Sequence, residues 1–149
     1  MAFEERNTWV YLLVSLAVML IFGTRIYDAT VLGAFDGPEG LQTWARRVLT
    51  YIPMAIVMVI VTVILANIVY GIFTGGDDLT MKEDERDRHI GLRGMRVTQA
   101  VFSTGWIIAV VLLALGYSAL QTLNLMLLAA WFSDVAGNLV KLFFYRRGY

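Results

Sequence analysis

Apolar residues fall in four long blocks separated by short polar stretches. The first spans about 8–27, running through Trp9-Val10-Tyr11-Leu12-Leu13-Val14 to Phe22 with no charge before Arg25. The others cover about 53–73, 97–117 and 120–145. A helix needs roughly 20 apolar residues to cross a bilayer core, so each block has the length of one span. Pro53 suits the first turn of the second helix, where its missing N–H would have had no partner. Gly75 and Gly76 follow that helix, as glycine does after a C-terminus. Gly116-Tyr117-Ser118 leaves room only for a tight turn, so blocks three and four form a hairpin. The first block is expected to stay in the chain as a helix. Glu4 and Glu5 precede it, and no small-x-small pattern follows, which argues against a cleaved signal. The pattern predicts one all-α integral membrane domain over 1–149 with four transmembrane helices.

Two connections carry patterns of their own. In 37–50, Leu41, Trp44, Val48 and Leu49 recur at helical spacing opposite Gln42 and Arg46, and Asp36 and Glu39 have capping-box spacing. This predicts a short interfacial helix in the first external connection, with Trp44 at headgroup depth. The same pattern also fits a helix that packs on the spans and never meets lipid. Thr80 and Glu83 repeat the capping-box spacing before a charged run, predicting a cytoplasmic helical extension over 81–96 that enters the third span without a break. Asp84 pairs with Arg88 at i,i+4 and Glu85 with Arg88 at i,i+3, each worth about 0.2–0.5 kcal/mol on an exposed helix.

Composition sharpens this reading. The 149 residues are 58% hydrophobic and only 16% charged, which excludes a disordered chain and an ordinary nucleic-acid-binding domain. The absence of cysteine excludes thiol catalysis and thiolate metal sites. Basic residues divide unevenly: nine (Arg6, Lys82, Arg86, Arg88, Arg93, Arg96, Lys141, Arg146, Arg147) lie on the side of the termini, and three (Arg25, Arg46, Arg47) on the other. The positive-inside rule then places both termini in the cytoplasm. Ala66-Asn67-Ile68-Val69 aligns with Gly137-Asn138-Leu139-Val140 at an offset of 71, and Glu5-Arg6 with Glu85-Arg86 at 80. This suggests two helix-hairpin repeats related by an axis along the membrane normal.

Lys82-Glu83-Asp84-Glu85-Arg86 with Ile90 ahead of a span, a hairpin, and then Phe144-Tyr145-Arg146-Arg147-Gly148 resemble a family of small prokaryotic four-helix membrane proteins of unknown function. The resemblance covers residues 80–148. It implies a prokaryotic cytoplasmic (inner) membrane and brings no activity with it.

Asp134 is the most informative residue, because an ionised carboxylate near the middle of a span is costly and should face protein or water. Asn138 and Lys141 extend a polar stripe from it, and Ala129, Ser133 and Gly137 form a small-residue stripe beside it. Asn67, the repeat mate of Asn138, is expected to reach the same interior. Asp134, Asn138, Asn67 and Ser133 therefore form the candidate intramembrane site, read either as an ion or proton site or as hydrogen bonding that fixes packing. Asp84, Glu85, Arg86 and Arg88 form the candidate cytoplasmic contact surface. The single histidine, His89, has Glu85 one turn away, two ligands where a stable metal site needs about three or four. No metal and no cofactor is expected, and no catalytic motif appears. The expected function is a non-enzymatic membrane accessory, sensor or regulatory protein acting by helix–helix association. The alternative is a small dimeric proton or cation transporter or channel using Asp134. Expected partners are membrane lipid and a second copy or a larger membrane complex, with no nucleic acid.

The basic-residue count yields a direct test of topology. With single cysteines placed as Ala2→Cys, Gly40→Cys, Asp78→Cys and Tyr149→Cys, an impermeant thiol reagent applied to intact cells should label only position 40. Labelling at position 78 in sealed cells would reverse the orientation.

Overall fold

A computed structural model describes residues 3–74 and 85–147. It contains four helices: α1 (Phe3–Val31), α2 (Gly40–Thr74), α3 (Glu85–Ala114) and α4 (Ala119–Arg147). Each is long and apolar enough to cross a membrane. Gly75, Gly76, Thr80 and Asp84 lie outside the described residues, as does the start of the expected 81–96 extension. From Glu85 onward α3 runs unbroken through Gly91 and Gly94, and at about 1.5 Å per residue it measures about 45 Å.

The turns close by backbone chemistry. α1 ends where Gly33 adopts φ 72° and the Ala34 N–H reaches back to the Ala29 carbonyl at 2.9 Å. α3 ends the same way, with Gly116 at φ 91° and the Tyr117 N–H on the Leu112 carbonyl at 3.1 Å. Both are Schellman closures, in which a left-handed glycine lets two further N–H groups satisfy the last carbonyls. α4 then opens with a reciprocal cap. The Gln121 N–H donates to Ser118 Oγ at 3.2 Å, and the Ser118 N–H donates to Gln121 Oε1 at 3.1 Å.

Extensive contacts join α3 to α4, α4 to α1 and α1 to α2, giving an open array in the order α2, α1, α4, α3. The α3–α4 contact depends on missing side chains. A Cβ on Gly105 would run into the Ala129 Cβ, and one on Gly137 into Thr98 Oγ1. Opposite Gly94 lies the aliphatic stem of Lys141, with Cγ 2.5 Å from where a Cβ would stand. The small-residue stripe of α4 thus lies against α3. α1 is buried along two faces: Leu12 packs with Val135 and Leu142 of α4, while Val14, Val18 and Phe22 pack with Ala55, Met58 and Val59 of α2 and Trp131 of α4. The two hairpins are unlike in closeness, since α3–α4 contact is far more extensive than α1–α2 contact.

The expected break at Pro53 is absent. The 37–50 segment does not form a separate interfacial helix; from Gly40 it is the beginning of α2, and Pro53 lies inside that helix. Interior proline costs about 3 kcal/mol through a lost hydrogen bond and a clash with the preceding turn. Packing offsets that cost. Trp44 is 9% exposed and packs with Ile26, Ala29 and Phe35, while Ala45, Val48 and Tyr51 close over them beside Leu120, Leu123 and Leu127. Trp44 is therefore packed among helices rather than turned outward. Its Nε1–H donates to Asn124 Oδ1 at 2.7 Å, and Asn124 Nδ2 donates to Thr30 Oγ1 at 3.2 Å, linking α2, α4 and α1. Tyr51 stacks on Phe22 with centroids 4.8 Å apart. The 3.6-residue pattern was real, but it records a face that packs on other helices. Gly40 itself is buried, and a Cβ there would meet the Phe35 carbonyl, so Glu39→Cys is the better outer probe for the topology test.

The α3–α4 contact predicts a coupled pair of substitutions. Gly137→Ala should destabilise the chain by about 1–3 kcal/mol, the usual range for overpacking. Thr98→Ala, which removes the colliding hydroxyl, should recover most of that loss in the double variant. Thermal unfolding in detergent measures both; additive losses would show that the two residues do not meet.

Candidate functional site

α4 places Asp134 near the middle of its length, and α1 places Ser15 near the middle of its own. The two helices run antiparallel in contact, so these midpoints coincide, and the Ser15 hydroxyl donates to Asp134 Oδ2. Ser15 was missed by sequence reasoning. Its only signal was a lone serine inside the apolar run from Val10 to Phe22, and nothing there indicates which helix it meets. The Asp134 side chain is exposed rather than enclosed between helices. Its carboxylate is therefore held by one internal donor and open on its other side.

The other three candidates are placed differently. Ser133 is buried, and its Oγ donates to the Ala130 carbonyl of its own helix at 2.7 Å. Asn138 lies one turn from Asp134 toward the end that carries both termini and is only 5% exposed. Asn67 is not brought to this group. Its Oδ1 accepts from the Arg6 guanidinium at 2.8 Å, and its Nδ2 donates to the Val63 carbonyl at 2.9 Å. Arg6 also lies over the Tyr70 ring, 3.6 Å from its centroid. Arg6 and Ser15 are nine residues apart on α1, so Asn67 sits about 14 Å along the axis from the level of Asp134. Asn67 acts instead as the clasp between the start of α1 and the end of α2. Near that clasp, Asn7 is 8% exposed and its Oδ1 has no hydrogen-bond partner.

On the charged surface, Glu85, Arg86 and Arg88 are exposed along the first turns of α3, whereas Asp84 is outside the described residues. Asp87 between them is half-buried and lies close to Tyr145 near the end of α4.

Chemically, the centre of this arrangement is one carboxylate and one hydroxyl. The pair can accept and hold a proton or a hydrogen-bond donor. It supplies far fewer oxygens than the six or so that a hard divalent cation takes. Among the described residues, no group of three His, Cys, Asp or Glu side chains is placed to hold a metal ion. In comparisons with known proteins, no family model, no curated protein and no solved structure matches this chain.

Proposed function

We propose that this chain is a non-enzymatic multi-pass protein of a prokaryotic cytoplasmic membrane that acts by helix–helix association, as an accessory, sensor or regulatory subunit. The observation that carries the reading is the exposure of Asp134 at mid-helix. A charged carboxylate facing the bilayer centre costs at least about 2.5–3.5 kcal/mol, and membrane acids accordingly face protein or water. Ser15 satisfies only one of its lone pairs. A second protein surface, from another copy of this chain or from a larger complex, supplies the remaining donors. The nine-to-three division of basic residues supports cytoplasmic termini, and the resemblance over 80–148 supports a prokaryotic membrane. On that side, Glu85, Arg86 and Arg88 offer a mixed-charge surface to a cytoplasmic partner.

The same exposure favours a second reading, a dimer that encloses water around Asp134 and passes protons or cations. Three variants separate the two. If Asp134 only bonds a neighbouring helix, Asp134→Asn keeps the shape and can still donate and accept, so it should match the parent in stability and oligomeric state. Asp134→Leu should then weaken assembly by about 0.6–2 kcal/mol, the range for polar contacts between membrane helices. Ser15→Ala should lose less, since it removes one hydrogen bond and leaves the carboxylate its outer partner. Proton or cation flux into liposomes that is present in the parent and abolished in Asp134→Asn would replace association with transport.

A further inference from the structure

A groove of about 610 Å³ runs along one flank of α3 and α4, walled on its far side by Met19 of α1. Its floor is narrow because Gly105 and Ala129 bring two backbones together there, and Thr104, Leu128 and Phe132 rise beside it. Leu128 and Phe132 belong to a stripe on α4 that steps by three and four residues through Ala136 and Leu139 to Phe143 and Arg147. The matching stripe on α3 runs from Ile108 through Thr104, Ala100 and Val97 to Arg93. Both stripes leave the groove in the same direction and end in an arginine.

Those two arginines are built into one aromatic unit. The Arg93 guanidinium lies 4.6 Å from the Phe144 centroid, and Arg147 lies 4.4 Å from that of Phe143. The two rings meet edge to face at 5.6 Å. A guanidinium makes its hydrogen bonds in the plane of its fork, the geometry that grips phosphate. Two cations, one from each helix, each over one of two contacting rings, favour an anion at this end of the groove. At 1.5 Å per residue, the groove begins about 10 Å along α3 from Arg93 and reaches about 22 Å at Ile108. One leaflet of hydrocarbon is about 15 Å deep. The near end of the groove falls within that depth, so an acyl chain below a phosphate at the arginines can enter it.

We propose that this flank binds one anionic phospholipid, its phosphate on Arg93 and Arg147 and one acyl chain in the α3–α4 groove. The stripe does not include Asp134, so this site and the association reading stand or fall separately.

The test uses the full chain in detergent micelles, with bound lipid read by native mass spectrometry against equal amounts of dioleoyl phosphatidylglycerol and dioleoyl phosphatidylcholine. The parent should retain phosphatidylglycerol in preference. An arginine near an anionic surface is worth about fivefold, so Arg93→Gln with Arg147→Gln should reduce that preference about thirtyfold. Thr104→Phe fills the groove from an exposed position, and it should weaken retention of phosphatidylglycerol about tenfold while leaving the arginines in place. Inorganic phosphate should not displace the lipid. Equal retention of the two lipids by the parent overturns the proposal. So does an unchanged preference in the double variant, or full retention in Thr104→Phe. Displacement by inorganic phosphate alone would make the arginines a free-anion site and remove the lipid.

Discussion

Helices in a bilayer gain nothing by burying apolar surface against one another, because lipid tails are as apolar as leucine. They must be held by close van der Waals contact and by hydrogen bonds. In this chain the most extensive contact is between α3 and α4, where Gly94, Gly105 and Gly137 let backbone and short side chains meet. That contact determines the position of α4, and α4 in turn offers its other face to α1. The rest of the array follows from it. α2, which has no comparable glycine seam, is held by a Trp44–Asn124–Thr30 hydrogen-bond chain at one end and by Arg6 on Asn67 and Tyr70 at the other. Between these two clasps its outward face is apolar and suited to lipid.

An open array has a consequence for polar groups. In a closed arrangement, a residue such as Asp134 could be surrounded by four helices. Here the α1–α4 contact gives it one donor, Ser15, and leaves its other side open. The polar stripe Asp134, Asn138, Lys141 is consequently divided by environment. Asn138 is buried, Lys141 covers Gly94 with its stem, and only the carboxylate faces outward. The one residue whose charge is hardest to leave in lipid is also the one the single chain does not cover. The proposed association through that flank would relieve this conflict. The opposite flank, with its groove and two arginines over aromatic rings, carries the proposed lipid site.

Some of this was legible before any coordinates. Four helices long and apolar enough to cross a membrane could be read because length and hydropathy are properties of a segment by itself, independent of what it touches. The tight α3–α4 turn was legible for the same reason, since three residues between two spans permit little else. The Ala129, Ser133, Gly137 spacing marked a close-packing face of α4 without naming its partner. The reading failed at Pro53, where local propensity favours a helix start and contacts made by Trp44, Val48 and Tyr51 with two other helices carry the helix through it. It also failed at Asn67, which aligns with Asn138 in sequence but is taken by Arg6 from another helix.

The amino-acid sequence by itself determined the number, length and apolar character of the helices, because intrahelical hydrogen bonding and transfer out of water are set residue by residue along the chain. It also marked Asp134 as anomalous. Only the tertiary structure decided that Ser15 is its donor, that Asn67 is not its neighbour, that Trp44 is packed among helices, and that Arg93 and Arg147 lie over two adjoining rings. Each of these depends on which helix lies beside which and at what register. That register is set by the summed packing of many weak contacts between distant segments, and no local pattern encodes it.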